Sequence, residues 1–143
     1  MPYESCALDG VFVLRWGKPQ LLDVDRYAKE MADASAKQGK QLVGLFIMPP
    51  DSPAPDEAFR KAQAKKLPEI MQSLSYAVAV FEGTGFISSL KRSALIGILL
   101  LAPKRYSIHV RSTVEEALLL NPAGPIEFNA KLTLAELKRR NLC

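Results

Sequence analysis

The sequence predicts an α/β layered fold, a mixed four- or five-stranded sheet packed by helices and opened by a β-hairpin. Three observations carry this expectation. Asp9-Gly10 separates two short runs of strand formers, and Asp-Gly marks a tight turn because glycine takes positive φ without steric cost. Two compact apolar runs, QLVGLFIM and SYAVAVFE, have the length and continuous apolarity of strands covered on both faces. Segments with helical periodicity alternate with these runs, which favours parallel strands, and the hairpin makes the sheet mixed.

Tyr3 to Leu8 and Val11 to Trp16 form the hairpin. Asp23 or Asp25 is expected to cap a helix running to about Gln38, with Tyr27, Met31 and Ala34 recurring on one face and Gly39 ending it. QLVGLFIM is a central strand with Gly44 as a local weakness. PPDSPAPD is a loop, because its prolines deny backbone donors and fix φ. Asp56 suits the cap of a helix from Ala58 to Ser73, and Pro68 predicts a kink or a break into two pieces. SYAVAVFE is the second central strand. Gly83-Thr84-Gly85 then turns the chain into a long apolar helix from Phe86 to Ala102, which Pro103 limits. Ser107 to Arg111 reads as a short strand. Thr113 and Glu116 have capping-box spacing before ALLL, and Asn121 to Pro125 stops that helix. Residues 126–143 form a tail, separate from the α/β domain of residues 1–125. In it Ile126-Glu127-Phe128 is a small extended piece, and Thr133 with Glu136 repeats the capping-box spacing. Lys138, Arg139 and Arg140 suit the last turn of the tail helix.

A chain of 143 residues buries a real core, and an apolar share of 48% argues against wholesale disorder. The net charge of +4, from 19 basic and 15 acidic residues, is too mild to point to nucleic acid, and no recognised nucleic-acid-binding module is present. Cys6 and Cys143 lie near opposite ends in no metal-like spacing. Ile87 to Ala102 is too short for an uninterrupted membrane span, since Lys91, Arg92 and Gly97 break it. No basic leader precedes an apolar signal core, and the composition points to a cytoplasmic protein.

The element order, and above all its ending in the strand SIHVRST followed by VEEALLL, resembles the STAS fold of bacterial anti-sigma-factor antagonists. The likeness is to the divergent STAS-like proteins of bacteria and spans about residues 3–120. In the signalling members a serine lies where the third strand enters the second helix, in an Asp-Ser-Ser-Gly-like segment. Here that region is PPDSPAPDEAF. Ser52 is the counterpart, while the second serine and the glycine are absent. The resemblance implies a non-enzymatic domain that works by binding a partner, with Ser52 as the regulatory position.

Residues that could carry chemistry are few. His109, the one histidine, lies in a strand between Ile108 and Val110, without the nucleophile and orienting carboxylate of a triad. One histidine and two remote cysteines make a poor metal-ligand set, so no metal or other cofactor is expected. GTGF invites an anion-cradle reading, with Gly83, Gly85 and Ser88 as ligand-binding residues at the start of a helix. It lacks the spacing and the lysine-serine ending of a nucleotide loop. Read structurally, the same glycines make a tight turn that lets the helix pack on the sheet.

The most informative stretch is the apolar helix itself. From Gly85 to Thr113 the charged residues are Lys91, Arg92, Lys104, Arg105 and Arg111, with no acid among them. An apolar helix with a basic rim suits docking. Phe86, Ile87, Leu90, Lys91, Arg92 and Leu95 are the candidate contact residues, for a protein partner and for a homodimer through this helix. Basic side chains beside apolar ones also suit peripheral contact with a membrane surface. The leading expectation is a regulatory or signalling protein–protein interaction domain. The alternative is a small apolar ligand or lipid bound between the 86–102 helix and the sheet.

Overall fold

The computed structural model describes residues 3–18, 20–51, 56–83, 93, 95, 96, 107–119 and 130–142. The sequence expectations for Ser52, Gly85, Phe86, Ile87, Ser88, Leu90, Lys91, Arg92 and the extended piece at 126–128 fall outside these residues.

A five-stranded sheet is built in chain order: β1 (Tyr3–Leu8), β2 (Val11–Trp16), β3 (Leu42–Met48), β4 (Leu74–Phe81) and β5 (Ile108–Arg111). The β1–β2 pair is antiparallel and the other three pairs are parallel, so the sheet is mixed. Gly10 takes φ 77° in the hairpin turn. Gln38 ties that turn down from across the layer: its side chain accepts from Gly10 N–H and donates to the Leu8 carbonyl, each at 2.9 Å.

Helices α1 (Leu21–Gln38) and α2 (Glu57–Gln72) are the crossovers that make β2, β3 and β4 parallel. Both pack on one face of the sheet, where Phe12, Leu14 and Trp16 of β2 meet Val24, Tyr27 and Met31 of α1 and Phe59, Leu67 and Ile70 of α2. The opposite face carries Val11, Val13, Val43, Leu45, Ile47, Tyr76, Val78 and Val80. It is covered by α3 (Val114–Leu119) and α4 (Ala130–Arg139). Leu137 is fully buried there and Leu142 is 4% exposed, so the C-terminal segment is part of this second layer. Coverage on both faces is why β2 to β4 read as apolar runs.

Three local expectations are corrected. Helix α1 begins at Leu21 with Gln20 as its cap. Asp23 acts from inside the first turn, where its carboxylate accepts the Gln20 N–H at 2.7 Å while the Gln20 main-chain carbonyl accepts from the N–H of Asp23 at 2.9 Å. Helix α2 runs unbroken through Pro68, which overturns the break into two pieces and leaves the kink as an expectation. Buried Leu67, Ile70 and Met71 flank the proline, and their packing offsets the lost hydrogen bond, a defect of about 3 kcal/mol. Helix α4 begins at Ala130, so Thr133 is an interior residue, buried at 6% exposure rather than a cap.

Asp56 caps α2 as expected, accepting from Phe59 N–H at 2.8 Å. Thr113 caps α3 through its hydroxyl, which accepts from Glu116 N–H at 3.1 Å. Ser93, Leu95 and Ile96 are helical. Among the described residues no helix is long and apolar enough to cross a membrane.

Candidate functional site

Parallel strands bring their carboxyl ends to one edge of the sheet, and the helices that come after them start there. In this chain that edge gathers Arg15 and Trp16 at the end of β2, Met48 ending β3 and Pro50 after it, Glu82 and Gly83 after β4, and Arg111 ending β5 with Ser112 and Thr113 after it. Its chemistry is set by pairs already made. Arg15 Nη1 donates to Glu82 Oε1 at 2.9 Å and to the Leu142 carbonyl at 3.1 Å. Glu82 N–H donates to the Met48 carbonyl at 3.0 Å. These helix starts are closed by side chains of their own: Asp23 on α1, Asp56 on α2 and Thr113 on α3. The donors that a helix N-terminus offers to an anion are thereby partly taken.

Gly83 turns at φ 90°. A Cβ at this position would stand 3.1 Å from both Cβ and Cγ of Pro50. The glycine is thus required by the close approach of the chain after β4 to the loop after β3. The buried indole Nε1 of Trp16, at this edge, has no acceptor among the described residues. The ring itself is wedged edge-on between Tyr27 and Phe59, with centroids 5.6 Å and 5.5 Å away.

Below the edge, on the α1–α2 side, lies a buried polar group. The Tyr27 hydroxyl donates to Gln63 Oε1. Burial, with the Asp23 carboxylate second, pushes the Tyr27 phenol well above its ordinary value. Tyr3, on β1, donates to Glu30 of α1 at 3.1 Å, and Ser5 donates to the other oxygen at 2.8 Å. Burial, followed by the Glu30 hydrogen bond, raises the Tyr3 phenol to about 12. Both phenols are therefore held in their neutral, hydrogen-bonding form across the physiological range.

His109 lies on β5, half-buried, with Nε2 3.1 Å from Ser107 Oγ and its ring edge-on to Tyr76. Ser107 immediately precedes β5, and among the described residues no carboxylate is hydrogen-bonded to His109 to orient such a pair. Cys6 is a free, half-buried thiol. Burial raises its pKa, with the Arg140 charge opposing, and a thiol held protonated is a poor nucleophile. Among the described residues no cluster of three His, Cys, Asp or Glu side chains can hold a metal ion.

Of the docking residues expected from the sequence, Leu95 is half-buried and helical. Beside it Ser93 is exposed and Ile96 is 57% exposed. Further apolar exposure occurs at Leu21 and Leu22, which open α1, and at Leu119, which ends α3. The Arg15–Glu82 pair is not among the sequence expectations. Its one sequence signal is a charged residue interrupting or closing each apolar run, VFVL-Arg15 and SYAVAVF-Glu82. No protein-family model, no curated protein and no solved structure matches this chain.

Proposed function

We propose that the chain is a cytoplasmic, STAS-like interaction domain of a bacterial regulatory or signalling system, without an activity of its own, that binds a protein partner through the 86–102 segment. The observation that carries this reading is the exposure of Ile96 beside half-buried Leu95. An apolar side chain left in water, within a run as apolar as ALIGILLLA and rimmed by Lys91 and Arg92, favours contact with a partner whose face is apolar and acidic. Under this reading Ser52 stays largely unphosphorylated. Asp51 and Asp56 would repel an added phosphate, and the segment from Pro49 to Asp56 holds no basic residue.

The test pairs capture with a surface variant. Lys91→Glu with Arg92→Glu moves the net charge by four units, from +4 to about 0. The tagged parent chain is expected to retain a partner from native lysate that the variant, folded by circular dichroism, releases. Surface plasmon resonance against that purified partner should show slower association for the variant at low salt and convergence at high salt. Equal association rates for the two chains would remove the docking role of this rim. Extraction of an apolar molecule from the parent chain would instead support the ligand-binding alternative.

A further inference from the structure

Strand β1 is an edge of the sheet, and its free side can be read from the hydrogen-bond pattern. Val43 N–H donates to the Gly10 carbonyl at 2.9 Å, so Gly10 faces β3 and the next residue, Val11, faces β1. Facing direction alternates along a strand, so Val11, Val13 and Arg15 bond toward β1. Their register partners are Leu8, Cys6 and Glu4. The backbone groups of Tyr3, Ser5 and Ala7 consequently point away from the sheet. Ser5 and Ala7 are exposed and, among the described residues, no strand lies beside them. A row of unpaired strand groups is a template for another strand.

These three residues form a symmetric set. If a second β1 runs antiparallel with Ser5 on the two-fold axis, Tyr3 meets Ala7 of the other copy and Ser5 meets Ser5. Every pair then joins outward-facing groups, giving about six inter-chain hydrogen bonds, two in each of the three pairs. The same register sets Glu4 opposite Cys6 of the second copy, on the face where α4 lies. Cys6 packs against the cluster holding Leu137 and Leu142, and the charges of Arg140 and then Glu136, an ion pair at 2.8 Å, act on its thiol. Glu4 is exposed and has no ion-pair partner among the described residues. Directly opposed side chains in such a ladder stand about 5 Å apart at Cβ. Each Glu4 therefore faces the Arg140–Glu136 pair of the other copy, twice by symmetry, with Arg140 as its opposite charge.

We propose that a second copy of this chain docks antiparallel on β1, with Ser5 on the two-fold axis and Glu4 facing Arg140 of the other copy, to make a continuous sheet through two subunits. The interface is isologous, as closed dimers require. Two like charges oppose it: Glu136, paired to the Arg140 that Glu4 faces, and, on the other face, Glu30, held by Tyr3 and Ser5, whose copy lies across the axis. The balance is a reversible dimer.

Sedimentation equilibrium of the full chain at high micromolar concentration reads the association. Ser5→Pro deletes an outward donor at an edge position that tolerates proline, and should weaken the dimer about tenfold with the circular dichroism unchanged. Glu4→Lys should also weaken it, Glu4→Lys with Arg140→Glu should restore it, and Glu30→Gln should tighten it. In a Cys6→Ser, Cys143→Ser background, Ser5→Cys should give a disulfide-linked dimer on oxidation, whereas Ala7→Cys should not, because it faces Tyr3 of the other copy. A parent chain that stays monomeric overturns the proposal, with Glu4 then acting as a guard against edge pairing. A dimer indifferent to Ser5→Pro and to the charge exchange overturns it as well, since the contact would lie elsewhere. Should Ser5→Pro fail to fold, the charge exchange and the cysteine pair decide alone.

Discussion

Two glycines with the same backbone handedness are expected to respond differently to alanine. Gly39 ends α1 at φ 66° and ψ 27°, and a Cβ there meets nothing within 4 Å. Gly83 turns at φ 90°, and its Cβ would stand 3.1 Å from two ring atoms of Pro50. A left-handed L-residue costs about 1–2 kcal/mol, which both substitutions incur. The second adds overpacking. A proline ring is closed on its own backbone and cannot swing aside as a long side chain does, so the loop itself must shift, at about 1–2 kcal/mol. The expectation is a loss of about 1–2 kcal/mol for Gly39→Ala and about 2–4 kcal/mol for Gly83→Ala.

Urea unfolding followed by the fluorescence of Trp16, the single tryptophan and 8% exposed, measures both on one probe. In a Pro50→Gly background, which removes the two crowding atoms, the cost of Gly83→Ala should fall to that of Gly39→Ala. Equal losses in the parent background would refute the crowding argument. So would a Gly83→Ala penalty that Pro50→Gly leaves unchanged. The result bears on function too: a glycine demanded by Pro50 needs no bound anion to account for it.

Leu137→Ala removes a fully buried side chain from the second layer and should cost about 2–5 kcal/mol by urea unfolding; a change near zero would mean that α4 is not part of the cooperative unit. The Glu136 carboxyl is held down to about 2 by hydrogen bonds from Arg139 and then Arg140. NMR titration should find that midpoint, and Arg139→Gln with Arg140→Gln should return it toward the ordinary carboxylate range. Because the folded value is depressed, any stability from this cluster is present above the unfolded pKa and fades as pH falls from about 4.5 toward about 2. The sign reverses for Tyr3, whose phenol is raised by burial and Glu30 to about 12. Its contribution is complete below the unfolded value near 10 and is lost as pH rises through about 12, and ultraviolet titration should show Glu30→Gln lowering that midpoint.

What is legible in the sequence is local. The bounds of β1 and β2 come from Asp9-Gly10 and the strand formers around it, because a two-residue turn fixes register by itself. The central strands announce themselves because α1, α2, α3 and α4 cover both faces. Gly44 reads as a weak point in β3. Its reason is long-range: a Cβ there would lie 2.6 Å from Leu74 Cδ1, on the neighbouring strand. Arg15 and Glu82 are 67 positions apart, and no spacing rule connects them until β2, β3 and β4 are laid side by side. The docking residues from Phe86 to Arg92 rest on composition alone, which states what a surface prefers and not where it lies.

The two Thr-x-x-Glu segments show where local reading gives way. Thr113 and Thr133 each precede a glutamate by three residues, and the spacing alone predicts the same cap. Thr113 fulfils half of it: its hydroxyl accepts from Glu116 N–H, while Glu116 reaches past it to Ser112 N–H at 3.4 Å. Thr133 is buried inside α4, and Glu136 turns to Arg139 and Arg140 instead. The apolar residues downstream of each threonine make the difference. Leu137 stands four residues after Thr133, on the same side of a helix, and is fully buried against the sheet. Burying that leucine draws Thr133 onto the inner face and leaves room for a turn of helix before it. Val114 and Ala117, by contrast, bury the helix only after Thr113, which stays outside as a cap. A capping signal therefore holds only while the apolar face it introduces begins after it. Where a threonine shares its face with the leucine that anchors the helix, packing sets the boundary and the motif is overridden.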